Sequence, residues 1–167
     1  YTSVNTLSLH DALPIYTAER HLVTTALEHI VEANILLSGV GFESGGLASA
    51  HSIHNGLTAL PETHAFYHGE KVAFGTLAGL VLTDADPAEV SAVYAFCEEI
   101  GLPTTLADLG LGGSDLNHLL LAAQKACAPG EYIHHESCAV TPEKVLDAML
   151  AADAIGQSRK RRATPVR

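Results

Sequence analysis

Ten histidines fall in this chain, and four of them, His51, His54, His64 and His68, lie in one window. Neutral imidazole is the commonest nitrogen ligand for zinc and also suits iron, so the first chemistry this window suggests is a metal centre. His51 and His54 stand three positions apart and can share a helix face, whereas His68 follows His51 by seventeen positions with a loop between. Two helices can therefore each present one imidazole to a common point. The window holds no HExxH or CxxC spacing, so on spacing alone a second reading stays open, that of surface or hydrogen-bonded histidines beside a glycine-rich turn. Ala48, Ser49 and Ala50 precede His51 and are small enough to let another segment come close. Phe42, on the turn before them, can wall one side of a small pocket or plug the core.

The elements that must carry these residues read as helices. Leu22, Ala26, Ile30, Ala33 and Leu37 recur at helical spacing and predict a long amphipathic helix from Thr17 that stops at Gly39. Gly41, Gly45 and Gly46 then make a turn, and Ser44 caps a second helix from about Leu47 to Asn55, ended by Gly56. Residues 58–67, with Pro61, read as a loop before an apolar central helix over 68–82. Asp86-Pro87-Ala88-Glu89 opens a helix that closes at Gly101, and Ser114 and Thr141-Pro142 open two more. No alternating strand and no internal repeat is present, so the fold class is all-α with six helices.

Composition narrows the partners. With 47% apolar residues the chain can bury a core, and no run of 18 apolar residues or basic-then-apolar leader predicts a membrane span or signal peptide, so a cytoplasmic protein is expected. Cys97, Cys127 and Cys138 form no CxxC pair and read as idle thiols. Five of the nine Lys and Arg residues lie in the last nine positions, which leaves four against nineteen acidic residues elsewhere. Such a body repels phosphate backbones, so nucleic acid is not an expected partner, and residues 158–167 read as a solvated basic tail. Residues 1–15, including LSLHDALPI, resemble a translated sequencing adapter and read as non-native, which leaves 16–157 as the helical domain.

The run GFESGGLASAHSIHNGLTALPETHAFYHGEKVAFGTLAGL resembles the glycerol dehydrogenases of the iron-containing alcohol dehydrogenase family. The likeness extends from VEANILLSGV before it to AADAIGQ after it, over roughly Thr17 to Gln157. It implies the multi-helix C-terminal domain of the dehydroquinate synthase-like fold. It also implies that His51, in SGGLASAH, and His68, in YHGEKVAFG, are ligands of a zinc or iron ion, that His51 and Phe42 face the substrate, and that the full-length enzyme is a homo-oligomer. His54, one turn from His51, ranks below both, as a group behind the ligands or against the substrate. The family's third ligand, an aspartate, and its glycine-rich NAD-binding half have no counterpart here, so no catalytic side chain and no NAD-binding residue is assigned.

The function implied is that of a fragment of a metal-dependent, NAD-linked dehydrogenase. The ion would assist loss of the proton from a secondary hydroxyl of glycerol or a similar polyol, and hydride would pass from carbon to NAD to leave a ketone. Two alternatives stand beside it. A relative acting on a phosphorylated substrate would need Arg or Lys beside the metal, and between Phe42 and Phe74 only Lys71 qualifies. A non-catalytic helical module that binds metal or a partner would need none of this chemistry.

Overall fold

A computed structural model describes residues 17 and 19–163, so the expectations for residues 1–15 lie outside the described residues. All regular elements among the described residues are helical, as the sequence predicts. The described residues up to Gly46 form one compact unit, and those from Leu47 onward form a second.

The first unit is built on α1, Thr25–Gly45. His21 adopts a left-handed φ of 52°, and Thr24 accepts from Leu27 N at 3.4 Å, so the helix starts later than its apolar period suggested and Leu22 lies outside it. It also runs past Gly39 and Gly41. A helical glycine costs only about 1 kcal/mol relative to alanine, and the segment stays helical through Gly39 and Gly41 until Gly46, whose φ of 69° ends it. Ser44 and Phe42 are consequently helical residues, not a cap and a turn residue.

The second unit contains α2 (Ser49–Leu57), α3 (His68–Leu82), α4 (Pro87–Ile100), α5 (Leu116–Ala126) and α6 (Pro142–Ala163). Helices α2, α3, α6 and α5 each pack on the next to close a ring, and α4 lies on the outer side of α3. Ile53, Leu57, Phe74, Leu77, Leu119, Ala123, Val145 and Met149 fill the ring and are all buried. Gly56 lies inside α2 and does not end it. A Cβ there would overlap the Ala122 carbonyl of α5, so the glycine serves close packing.

Local chemistry sets the ends. Asp86 accepts from Ala88 N at 2.7 Å, with Pro87 at the first helical position, and Gly101 closes α4 at φ 76°. Asp115, one residue after the expected Ser114, caps α5 by accepting from His118 N at 2.8 Å. The segment expected to be a loop holds a 3-10 turn, Pro61–Ala65, because the buried Thr63 hydroxyl donates back to Leu57 O at 2.8 Å and Leu60 O at 3.0 Å. Residues through Ala163 continue α6, and two of them are tied down. Arg159 clamps both oxygens of Glu98 at 2.8 and 2.9 Å, and Lys160 bonds Asp108.

Candidate metal centre

Small residues bring α2 and α3 together. A Cβ at Gly75 would overlap the Ala50 carbonyl oxygen, so the two backbones touch where only glycine fits. That contact sets His51 and His54, one turn apart on α2, beside His68, the first residue of α3. The α3 start is held from below by Lys71. Its side chain is only 6% exposed, and the ammonium donates to Thr63 O at 3.1 Å and Phe66 O at 2.8 Å, two carbonyls of the segment that leads into His68. Glu70 accepts from Tyr67 N at 2.6 Å and closes the same entry.

The rings of His51 and His68 have their centres 5.5 Å apart with planes inclined by 46°. Two imidazoles on one tetrahedral zinc, with Zn–N bonds of about 2.1 Å, hold their ring centres about 5.3 Å apart. His54 and His68 are closer, at 4.3 Å and nearly edge-on, with His68 Nδ1 and His54 Nε2 at 3.1 Å. That is the geometry of one ring hydrogen-bonded to another, too close for both to face a shared ion. Burial, followed by the His68 imidazole, pulls the His51 pKa below its ordinary value. Burial also lowers that of His54, against a raising hydrogen bond from Asn55 and with help from His68 and Lys71. Both rings are thereby held toward the neutral form. His64 lies apart from this group in its bonding and donates Nε2–H to Thr58 O at 3.1 Å.

Behind the rings stand residues that sequence reasoning missed. His54 Nδ1 lies 3.0 Å from Asn55 Oδ1, Asn55 Nδ2 donates to Glu131 Oε2 at 3.0 Å, and Ser52 donates to the same oxygen at 3.0 Å while accepting from Ile133 N at 2.9 Å. Asn55 sits in the histidine window, but no local signal ties Glu131 to it across 76 positions. Phe42 is on α1, in the first unit, and 55% exposed. Among the described residues, no group of three or more His, Cys, Asp or Glu side chains is arranged to hold a metal ion.

No protein-family model matches the chain. It is 55% identical over 155 residues to a glycerol dehydrogenase of Thermotoga maritima, covering 93% of this chain and 43% of that one. Among solved structures, a probable glycerol dehydrogenase of Sinorhizobium meliloti superposes with a TM-score of 0.79 at 48% identity, over 85% of this chain and 40% of that one. Glycerol dehydrogenase of Schizosaccharomyces pombe superposes with a TM-score of 0.82 at 39% identity, over 92% and 39%. The chain thus spans about two fifths of the length of the curated relatives it matches.

Proposed function

We propose that this chain, a homologue of the glycerol dehydrogenases, is the helical part of an NAD-linked, metal-dependent dehydrogenase that oxidises a small polyol such as glycerol at a secondary hydroxyl. The observation that carries the reading is the 5.5 Å spacing of the His51 and His68 rings, which suits two ligands of one tetrahedral ion. His51 and His68 would hold the ion, zinc or iron, and the reading assigns the remaining carboxylate ligand and the NAD site to protein matching the rest of the relatives' length. When bound, such an ion supplies Lewis acidity toward a hydroxyl, and NAD accepts hydride. The chain's own residues orient the ligands. The α2–α3 contact at Gly75 fixes their separation, and Lys71 pins the segment entering His68.

Lys71 also bears on the substrate. A phosphorylated substrate needs a free cation near the metal, whereas this ammonium is buried and bonded to two carbonyls, so a neutral polyol fits better. The test is a chimera in which this chain replaces the matching segment of the Thermotoga relative. Chelator-sensitive, glycerol-dependent NADH formation is expected, lost in His51→Ala and His68→Ala. A folded chimera that binds zinc and oxidises no glycerol would sink the polyol reading.

A further inference from the structure

We infer that Glu131, acting through Asn55 and His54, is a positioning residue that fixes the neutral tautomer of His68 with the proton on Nδ1 and the lone pair on Nε2. The hydrogen bonds fix one another's direction along the series. A carboxylate oxygen only accepts, and Glu131 Oε2 lies 3.0 Å from both Ser52 Oγ and Asn55 Nδ2. Ser52 has the Ile133 N–H on its lone pair, so its own hydrogen points to Glu131. Asn55 must likewise present its NH2 group there, because the flipped amide would set oxygen against carboxylate oxygen. Its Oδ1 then faces His54 Nδ1, at 3.0 Å, and can only accept, so His54 carries its proton on Nδ1. His54 Nε2 is therefore an acceptor, and His68 Nδ1, 3.1 Å away, must donate to it.

Four groups in series thus leave one nitrogen of His68 unprotonated, on the side away from His54. Neutral histidine side chains in water favour the opposite tautomer, so this arrangement needs an anchor. Glu131 supplies it from the start of the 3-10 turn Tyr132–His135, which packs on α2. What the lone pair serves rests on the reading of His68 as a metal ligand, but the tautomer itself does not.

The test is performed on the 15N-labelled full chain without metal, at a pH near 8. Multiple-bond 1H–15N spectra identify which ring nitrogen carries the proton, and the His68 signals are assigned by their loss in His68→Gln. Wild type is expected to show Nδ1–H on His68. Asn55→Leu and Glu131→Leu are expected to shift it to mainly Nε2–H. Glu131→Gln is expected to keep it, since the amide oxygen still accepts both donors, and a purely structural role for Glu131 would leave the tautomer unchanged in every folded variant. A wild-type His68 with Nε2–H, or a folded Asn55→Leu chain with the wild-type pattern, overturns the inference. Should the leucine variants not fold, Asn55→Ala and Glu131→Ala, which remove the same bonds without adding bulk, take their place with the same expected shift to Nε2–H, and a folded alanine variant with the wild-type pattern overturns the inference. A chain that shows Nδ1–H on His68 and takes up no zinc keeps the relay and removes the metal reading instead.

Discussion

Two alanine substitutions on α3, six residues apart, should act with opposite sign. At Gly75 the new Cβ overlaps the Ala50 carbonyl oxygen of α2, a backbone atom that cannot rotate aside, so α3 must withdraw by roughly half an ångström or more. Overpacking of this kind costs about 3 kcal/mol, and the gain in helix propensity returns about 1, for a net loss of about 2 kcal/mol. At Gly69 a Cβ meets nothing within 4 Å and φ is not left-handed, so only the propensity gain remains, about 0.5 kcal/mol. Urea titration followed by circular dichroism reads both, and at about 3 °C per kcal/mol the melting temperatures should separate by about 7 °C. The same pair tests the site. Withdrawal at Gly75 also separates His51 from His68, so zinc affinity measured by calorimetry should fall in Gly75→Ala and hold in Gly69→Ala. A Gly75→Ala chain as stable as wild type would refute the claim that this backbone contact sets the helix spacing.

Other expectations follow from single contacts. His51→Ala should abolish specific zinc binding, whereas His118→Ala should leave it unchanged because His118 lies on α5 and pairs with Glu62 at 3.2 Å; equal loss in calorimetry would mark the binding as nonspecific. Tyr94→Phe removes the bond from a buried hydroxyl to Ala152 O at 2.7 Å and should cost about 1 kcal/mol in chemical denaturation, with a neutral result showing that α4 and α6 do not depend on it. For Asp108, burial raises the pKa, but Lys160 and the amides of Thr104 and Thr105 outweigh it, so the folded value lies below the ordinary one. A depressed carboxyl stabilises the fold above its ordinary value near 3.8 and ceases to do so as pH falls through the folded value. Asp108→Asn should therefore flatten the acid limb of stability below about pH 4, and an unchanged limb would exclude Asp108 as a source.

The elements most legible in the sequence were those whose ends are set by neighbouring residues. Asp86-Pro87 and Gly101 delimit α4 through a side-chain cap, a fixed φ and a left-handed stop, each a property of one residue and its immediate chain. Glycine misled wherever its reason was distant. Gly56 looked like a helix end, yet it is a helical residue that admits the Ala122 carbonyl, and Gly39 and Gly41 looked like breakers, yet both lie within α1. At the candidate site, spacing and resemblance indicated that His51 and His68 could meet, and the rings do lie side by side. Spacing could not separate His54 from them, because its pairing with His68 depends on the angle between α2 and α3. Glu131 was invisible for a simpler reason: an acidic residue before a short turn has the same local pattern whether or not a side chain 76 positions earlier donates to it.

The buried ammonium of Lys71 has a practical corollary for handling the protein. Of the chain's four lysines, Lys125, Lys144 and Lys160 are exposed, whereas Lys71 is sealed beneath the segment it bonds. Amine-reactive reagents should mark the first three quickly in the native protein and reach Lys71 only when residues 63–68 lift away. The mass of one tryptic peptide then becomes a clock for local opening of that segment, readable without activity, metal or cofactor, and a batch in which Lys71 is labelled as fast as Lys125 is one in which the entry to α3 has already come apart.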